Sequence, residues 1–181
     1  MVWHNEARWH LREPETLDGA RPFTWAFTRC VPFEPRVALR ARSRSEGTPV
    51  DFTLADFDIP ILSPKAVDVL APLVGEFCEF IPVDVEGQEQ RYSILNIFPE
   101  EDCAHEQASD LLLWRRGDGR DDLIGGYRQV TRLVIRRGLQ LPPIFRLSKF
   151  HIRILVDQRV AAYFGPDGLT GVIPKRIEEA G

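Results

Sequence analysis

Hydrophobic and polar residues alternate along much of this chain with the period of two that is typical of strands buried on one face. In the clearest case a turn at 86–88 connects residues 79–85 to a second alternating stretch at 91–97, which predicts a hairpin. Pro82 favours an edge position or a bulge for the first of these strands, because proline cannot donate to a strand ladder. Further predicted strands lie at 36–42, 111–114, 127–137, 144–147, 151–156 and 171–173.

Helical signals occur at two places. Ser63 can cap a helix whose first position is Pro64, and apolar residues then recur at helical spacing as far as about Val74. Asp157 can cap a second, short helix, which the Gly-Pro pair at 165–166 would end. The pattern as a whole therefore predicts many strands and a few short helices.

The composition fits one folded domain of ordinary size. With 181 residues, of which 44% are apolar, the chain can fill a core without help from disulfides. No internal repeat and no linker interrupts the sequence. We therefore predict a single α+β domain over residues 1–181, with a mostly antiparallel sheet and a few short helices.

Several features favour a soluble protein of the cytoplasm. Charged residues make up 28% of the chain, and no apolar run approaches the roughly 18 residues that a membrane span needs. Residues 1–6 have neither the basic opening nor the apolar stretch of a secretory signal. Cys30, Cys78 and Cys103 are an odd number at wide spacing, which fits free thiols in a reducing compartment. We expect a cytoplasmic location and no membrane partner.

Charge is unevenly distributed, although the net charge of the whole chain is only −4. Residues 76–106 contain nine acidic side chains and one arginine, whereas residues 107–160 contain eleven basic and five acidic ones. One interpretation is that the two stretches neutralise each other across a sheet or lie on separate solvated faces. The other is that the acidic stretch forms a face for a basic partner, since complementary potentials raise the encounter rate and select the partner.

Cys103 and His105 are a thiol and an imidazole that lie close in sequence, so a cysteine-dependent hydrolase is one alternative function. The acidic residues around them disfavour a thiolate, and we predict no catalytic residue and no enzyme. The histidines and cysteines lack the spacing of a zinc site, and neither common phosphate-binding loop motif occurs. No metal site and no cofactor are therefore expected.

A nucleic-acid-binding regulator is a second alternative. Arginines lie near aromatic residues in the first fifty positions, and arginine holds phosphates while aromatic rings stack on bases. An overall pI of 5.6 and the acidic stretch would repel a nucleic-acid backbone, so this partner is disfavoured. The residues concerned are Arg36, Arg40, Arg42 and Arg44, with Phe23, Trp25, Phe27 and Phe33.

Several short motifs follow one another in a recognisable order. They are PILSPKA at 60–66, EFIPV at 79–83, YSILN at 92–96, DC at 102–103, IFRL at 144–147 and LTGV at 169–172. This succession resembles the bacterial polymorphic-toxin immunity protein family numbered 11, which is named from a myxobacterial example. The resemblance covers about residues 51–175 and leaves 1–50 as a divergent part. Ala104 and His105 stand where the family pattern often has an aspartate.

The resemblance implies an α+β cytoplasmic protein that binds and neutralises a cognate toxin, delivered by a neighbouring cell and encoded by an adjacent gene. It brings no catalytic residues. Combined with the charge distribution, it yields the hypothesis that the acidic stretch occludes a basic surface of the toxin, with a nuclease as the favoured target. The predicted toxin-binding residues are Asp84, Glu86, Glu89, Glu100, Glu101, Asp102, His105 and Glu106.

Overall fold

The structure, a computed structural model, describes residues 9–22, 25–34, 36–45 and 47–181. Residues 1–6, in which no export signal was expected, and Phe23 of the proposed stacking surface lie outside these ranges. The described residues form one domain with 39% strand and 12% helix. The predicted α+β class is therefore confirmed in its broad form.

Eight short strands form the largest sheet, and their order is β2-β3-β7-β8-β6-β5-β1-β4. They are β1 (His10–Leu11), β2 (Glu15–Thr16), β3 (Leu39–Ala41), β4 (Ser43–Ser45), β5 (Phe52–Ala55), β6 (Ile59–Leu62), β7 (Cys78–Val85) and β8 (Tyr92–Ile97). Only Arg42 separates β3 from β4 in the chain, yet the two strands lie towards opposite ends of this order. The sheet must therefore curl until both ends meet at residues 39–45.

The sheet is mixed, so the expected mostly antiparallel arrangement is wrong in this respect. Strand β3 runs parallel to β7, and β1 runs parallel to β5. Parallel neighbours need long connections, so strands paired in this way come from distant parts of the sequence. The alternation of residues within a strand does not report which distant strand lies beside it. The first fifty residues supply β1–β4 and so belong to the same sheet as the region after residue 50.

Smaller sheets complete the domain. In one of them β13 (Ile144–Leu147) lies between β14 (Phe150–Val156) and β9 (Glu100–Glu101), antiparallel to the first and parallel to the second. Strand β10 (Asp110–Leu113) pairs with β11 (Tyr127–Arg132), and β12 (Val134–Arg136) pairs in parallel with β15 (Glu178–Ala180). Two short 3-10 turns lie at Asp56–Asp58 and Asp121–Leu123.

The helix α1 (Pro64–Val74) has the bounds that the sequence predicts. The Oγ atom of Ser63 accepts a hydrogen bond from the backbone N–H of Ala66 at 3.2 Å, which satisfies one of the free donors at the helix start. Leu70 is buried in a cluster that also contains residues of β8, β13 and β14. The short helix α2 (Gln158–Ala161) is likewise capped by Asp157 as predicted.

Four predictions about strands differ from the structure, and the first is that the stretch 36–42 forms a strand only at β3. The stretch 127–137 is broken at Leu133 into β11 and β12, and 171–173 is not a strand. Pro82 is exposed but lies in β7, which has neighbours on both sides. The ladder with β3 begins only at Val83, one residue later, so proline's missing N–H leaves no gap in that ladder.

Candidate functional site

The acidic residues of the hairpin lie at its free end, where β7 turns back into β8. We call Asp84, Glu86 and Glu89 the hairpin tip; all three are exposed. An Asp84 carboxylate oxygen lies 3.2 Å from Nε of Arg91 across the hairpin, and both side chains are more than half exposed. A pair this exposed is screened by water and salt, so the tip keeps an acidic surface.

The acidic residues of β9 belong to a different part of the fold. Oε2 of Glu100 lies 2.9 Å from Nε2 of His151 in β14. Burial alone would raise the pKa of the Glu100 carboxyl, but hydrogen bonds from His151 and Ser148 hold this pKa below its usual value. The next residue, Glu101, is half-buried, and its carbonyl oxygen accepts a hydrogen bond from Ser148 N at 3.0 Å.

Asp102 and Glu106, in the connection that follows β9, each meet a basic side chain. Arg136 donates to the backbone carbonyl of Asp102 and lies 3.9 Å from its carboxylate. Oε1 of Glu106 accepts hydrogen bonds from Nζ of Lys149 and from the hydroxyl of Tyr127, each at 2.8 Å. The bond from Lys149, followed by the one from Tyr127, lowers the pKa of the Glu106 carboxyl.

His105 lies between these two acids and has a local structural role. Its backbone N–H donates to the carbonyl of Val134 at 2.8 Å, and its Nδ1 accepts from the backbone N–H of Ala108 at 3.3 Å. The side chain is half-buried. These bonds order the turn that leads towards β10.

The eight predicted residues thus fall into two groups rather than one face. The hairpin tip lies beyond one end of β8, and Glu100 lies beyond the other. That second end is the open end of the hairpin, where Phe98 N donates to the carbonyl of Phe77 just before β7. A strand of six residues is about 20 Å long at a rise of roughly 3.3 Å per residue. The second group, at 100–106, contacts basic residues of the 107–160 stretch, whereas the hairpin tip is exposed to solvent. Neutralisation by basic side chains of the 107–160 stretch therefore applies to the acidic residues at 100–106 but not to those of the hairpin tip.

The surroundings of Cys103 oppose its use as a nucleophile. The residue is fully buried beside Phe145 and Leu147 in the core between the smaller sheets. Burial, with smaller effects of Asp102 and Glu101, raises the pKa of the thiol to about 11. A protonated, inaccessible sulfur does not suit a cysteine-dependent hydrolase.

The four arginines of the proposed nucleic-acid surface all lie beside carboxylates. Arg40 and Arg42 each approach Oε1 of Glu15 at 2.9 Å. Arg36 pairs with Glu79, and Arg44 pairs with Asp56. Of the described aromatic residues in this group, Phe27 and Phe33 are buried and only Trp25 is exposed. The surface therefore offers little uncompensated positive charge to a phosphate backbone.

A cluster that sequence spacing did not indicate lies where the first fifty residues meet β9 and β14. One ligand atom each of Cys30, Glu100 and His151 lies within 4.8 Å of the others. Behind them Arg146 is fully buried, and its guanidinium donates to the backbone carbonyls of Phe27 and His151. Desolvation lowers the pKa of Arg146 to about 10.

Two residues near Arg146 have unusual backbone conformations. Cys30 has a φ of +60° and Asp58 a φ of +56°, and non-glycine residues rarely adopt this left-handed region. Both side chains interact electrostatically with Arg146. The sequence offered no local signal for this cluster, because its members are far apart in the chain and come from loops and strand ends.

The fold and the acidic tip define a class: a one-domain α+β protein built on a curled mixed sheet, with a charged hairpin end and no helix in the described residues that could cross a membrane. Comparison of the sequence with models of protein families and with curated proteins gave no match. The resemblance to the immunity family is therefore carried by the quoted motifs alone and stays a prediction.

Proposed function

We propose that this chain is the immunity protein of a polymorphic toxin system in interbacterial competition. It binds a cognate toxin, encoded by an adjacent gene, in the cytoplasm of the producing cell and neutralises it by an occluding protein–protein complex. Support comes from the motif succession, which resembles an immunity family, and from the exposed acidic tip. The three cysteines, all free, fit a reducing cytoplasm.

The observation that carries the proposal is the exposure of the hairpin tip. Glu86 and Glu89 are exposed acids in the turn between β7 and β8, with Asp84 beside them, and the backbone N–H of Glu86 donates to the carbonyl of Ala41 in β3. A cluster of like charge on an exposed turn steers a partner of opposite charge into contact. A nuclease is the favoured toxin, because enzymes that act on nucleic acid present a basic surface to the phosphate backbone.

The second acidic group takes a lesser part in this proposal. Glu100, Asp102 and Glu106 already contact His151, Arg136 and Lys149. A toxin would have to displace these internal partners before it could use the carboxylates, which costs part of the gain from a new ion pair. We therefore assign the first contact to the hairpin tip and keep Glu101 and His105, beyond the other end of β8, as a separate part of the predicted interface.

Binding rather than catalysis or nucleic-acid recognition agrees best with the rest of the molecule. The thiol of Cys103 is buried, and the arginines of the nucleic-acid alternative are engaged with Glu15, Glu79 and Asp56. We propose no catalytic residue.

Co-purification from the native host tests this function. The tagged chain is expected to retain the product of the adjacent gene in near-stoichiometric amount, and that product should kill cells that lack this chain. A variant with Glu86→Lys and Glu89→Lys should lose both retention and protection, whereas Asp68→Lys with Glu76→Lys, the same charge change at two other exposed acids, should keep both. Recovery of nucleic acid, or protection by the hairpin variant equal to that of the unaltered chain, would contradict the proposal.

A further inference from the structure

Three side chains with different metal-binding chemistry meet in one place. Cys30 comes from the first fifty residues, Glu100 from β9 and His151 from β14, and one ligand atom of each lies within 4.8 Å of the others. Oε2 of Glu100 lies 2.9 Å from Nε2 of His151. Cys30 and His151 are half-buried and Glu100 is partly exposed, so the cluster is open to a solute from water.

The ligand types select a particular kind of metal ion. A thiolate, an imidazole and a carboxylate together suit a borderline-soft divalent ion such as Zn²⁺, whereas Mg²⁺ and Ca²⁺ prefer oxygen ligands alone. In a tetrahedral zinc site with metal–ligand bonds of about 2.0–2.3 Å, ligand atoms lie roughly 3.5 Å apart. None of the three separations exceeds 4.8 Å, and that between Glu100 and His151 is 2.9 Å, so small side-chain rotations would bring the three atoms to this spacing.

Charge balance around the cluster also favours a bound cation. Arg146 is fully buried behind Cys30, and Asp58 is the other ionisable group, besides Cys30, that acts electrostatically on it. A divalent cation and the guanidinium together carry three positive charges. The thiolate of Cys30 and the carboxylates of Glu100 and Asp58 carry three negative charges. With a divalent cation bound, the cluster together with Arg146 and Asp58 would therefore be electrically neutral.

We propose that Cys30, Glu100 and His151 form a Zn²⁺ site with three protein ligands and a fourth position for water. Sequence spacing predicted no metal site, because the three ligands come together only through the parallel pairing of β9 with β13 and the return of β14 beside it. Metal binding displaces the thiol proton to solvent and forms the metal–sulfur bond.

Cobalt(II) titration of the tag-free chain tests the site without any toxin, so its outcome is independent of the proposed immunity function. We expect one equivalent of Co²⁺ to produce thiolate-to-cobalt charge-transfer absorption and the ligand-field bands of a four-coordinate ion, both abolished by Zn²⁺. Cys30→Ser should remove the charge-transfer band. His151→Ala and Glu100→Gln should each weaken binding at least tenfold.

Matched controls lie beside the ligands or elsewhere in the acidic stretch. Glu101→Gln is the adjacent carboxylate of the same strand, and His105→Ala is another half-buried imidazole; both should bind Co²⁺ as the unaltered chain does. Absence of a charge-transfer band, or a band that survives in Cys30→Ser, would overturn the proposal. Urea unfolding of each variant separates loss of ligands from loss of fold.

Thiol protection supplies a second measurement that needs no variant. Added Zn²⁺ should slow the alkylation of Cys30 in the folded chain at least tenfold, as measured by mass spectrometry of the peptide that contains it. Equal alkylation rates of Cys30 with and without Zn²⁺ would overturn the site.

Discussion

Asp51 is a single residue that ties three parts of the chain together. Its carboxylate accepts hydrogen bonds from the hydroxyl of Ser63 at 2.8 Å and from the backbone N–H and hydroxyl of Thr170 at 3.0 Å each, with Nζ of Lys65 at 3.4 Å. Burial alone would raise its pKa, but these bonds hold the pKa of Asp51 below its usual value. The carboxylate therefore stabilises the fold above the unfolded pKa of about 4, and this contribution is lost as pH falls through the lower folded pKa.

Replacement of Asp51 by asparagine should lower the free energy of unfolding by about 2 kcal/mol at pH 7, because charge-assisted hydrogen bonds are lost. Urea unfolding measures the change, and the difference from the unaltered chain should shrink as the pH falls below about 4. Asp68→Asn, an exposed aspartate on α1, is the control and should change stability little. A difference that stays constant down to acidic pH would contradict the role given to the Asp51 carboxylate.

The three thiols should differ in reactivity in the order of their burial. Cys78 and Cys103 are buried, and desolvation raises the pKa of the first to about 12 and of the second to about 11, whereas Cys30 is half-buried. In metal-free protein at pH 8 we expect Cys30 to be alkylated first and the other two to react only at rates set by unfolding. Peptide mass spectrometry over a time course checks the order. Faster labelling of Cys103 than of Cys30 would revive the cysteine-hydrolase alternative.

At the scale of elements, the sequence predicts most accurately those elements that depend on local interactions. The bounds of α1 follow from a serine cap, a proline at the first position and a helical stripe, all within a dozen residues. The hairpin of β7 and β8 likewise needs only one turn and two adjacent alternating stretches.

The predicted strand at 171–173 shows that a local apolar pattern is not sufficient to predict a strand. Residues 171–173 carry an apolar stretch, but they follow Thr170, whose carbonyl accepts from Phe52 N at 3.0 Å, and Gly171 has a φ of +100°. A Cβ at Gly171 would lie only 2.0 Å from the carbonyl oxygen of Phe52, so this close approach requires glycine. A strand forms instead at β15, a mostly exposed segment that pairs with β12 and whose Glu178 forms an ion pair with Arg132.

The hairpin turn depends on one glycine. Gly87 has a φ of +78°, and a Cβ there would meet no other atom within 4 Å, so the cost of a side chain is conformational alone. Gly87→Ala should destabilise the chain by about 1 kcal/mol, and Gly87→Asn by less, since asparagine tolerates this region better. Thermal unfolding of the two variants checks the order. Equal stability of Gly87→Ala and the unaltered chain would show that the turn relaxes.

At the scale of the whole molecule, the sequence shows which stretches are acidic and which are basic, but not which of their side chains contact one another. The acidic and basic stretches were evident from composition, yet their mutual contacts at 100–106 depend on the parallel pairing of β9 with β13. By contrast, the predicted hairpin already implies that β8 separates the hairpin tip from residues 100–106. The cluster of Cys30 with β9 and β14 joins residues that are 51 to 121 positions apart in the chain, and no local pattern contains that information.

Steering of a basic toxin by the hairpin tip should be visible in the kinetics of association. The direct measurement is the association rate constant of the purified chain with the co-purified toxin, followed by stopped-flow fluorescence from low to high salt. We expect a rate constant that falls steeply with salt, and a loss of at least tenfold at low salt in the variant with Glu86→Lys and Glu89→Lys. The variant with Asp68→Lys and Glu76→Lys should associate as the unaltered chain does. Equal rates for all three proteins, or a rate independent of salt, would show that the hairpin tip does not steer the toxin.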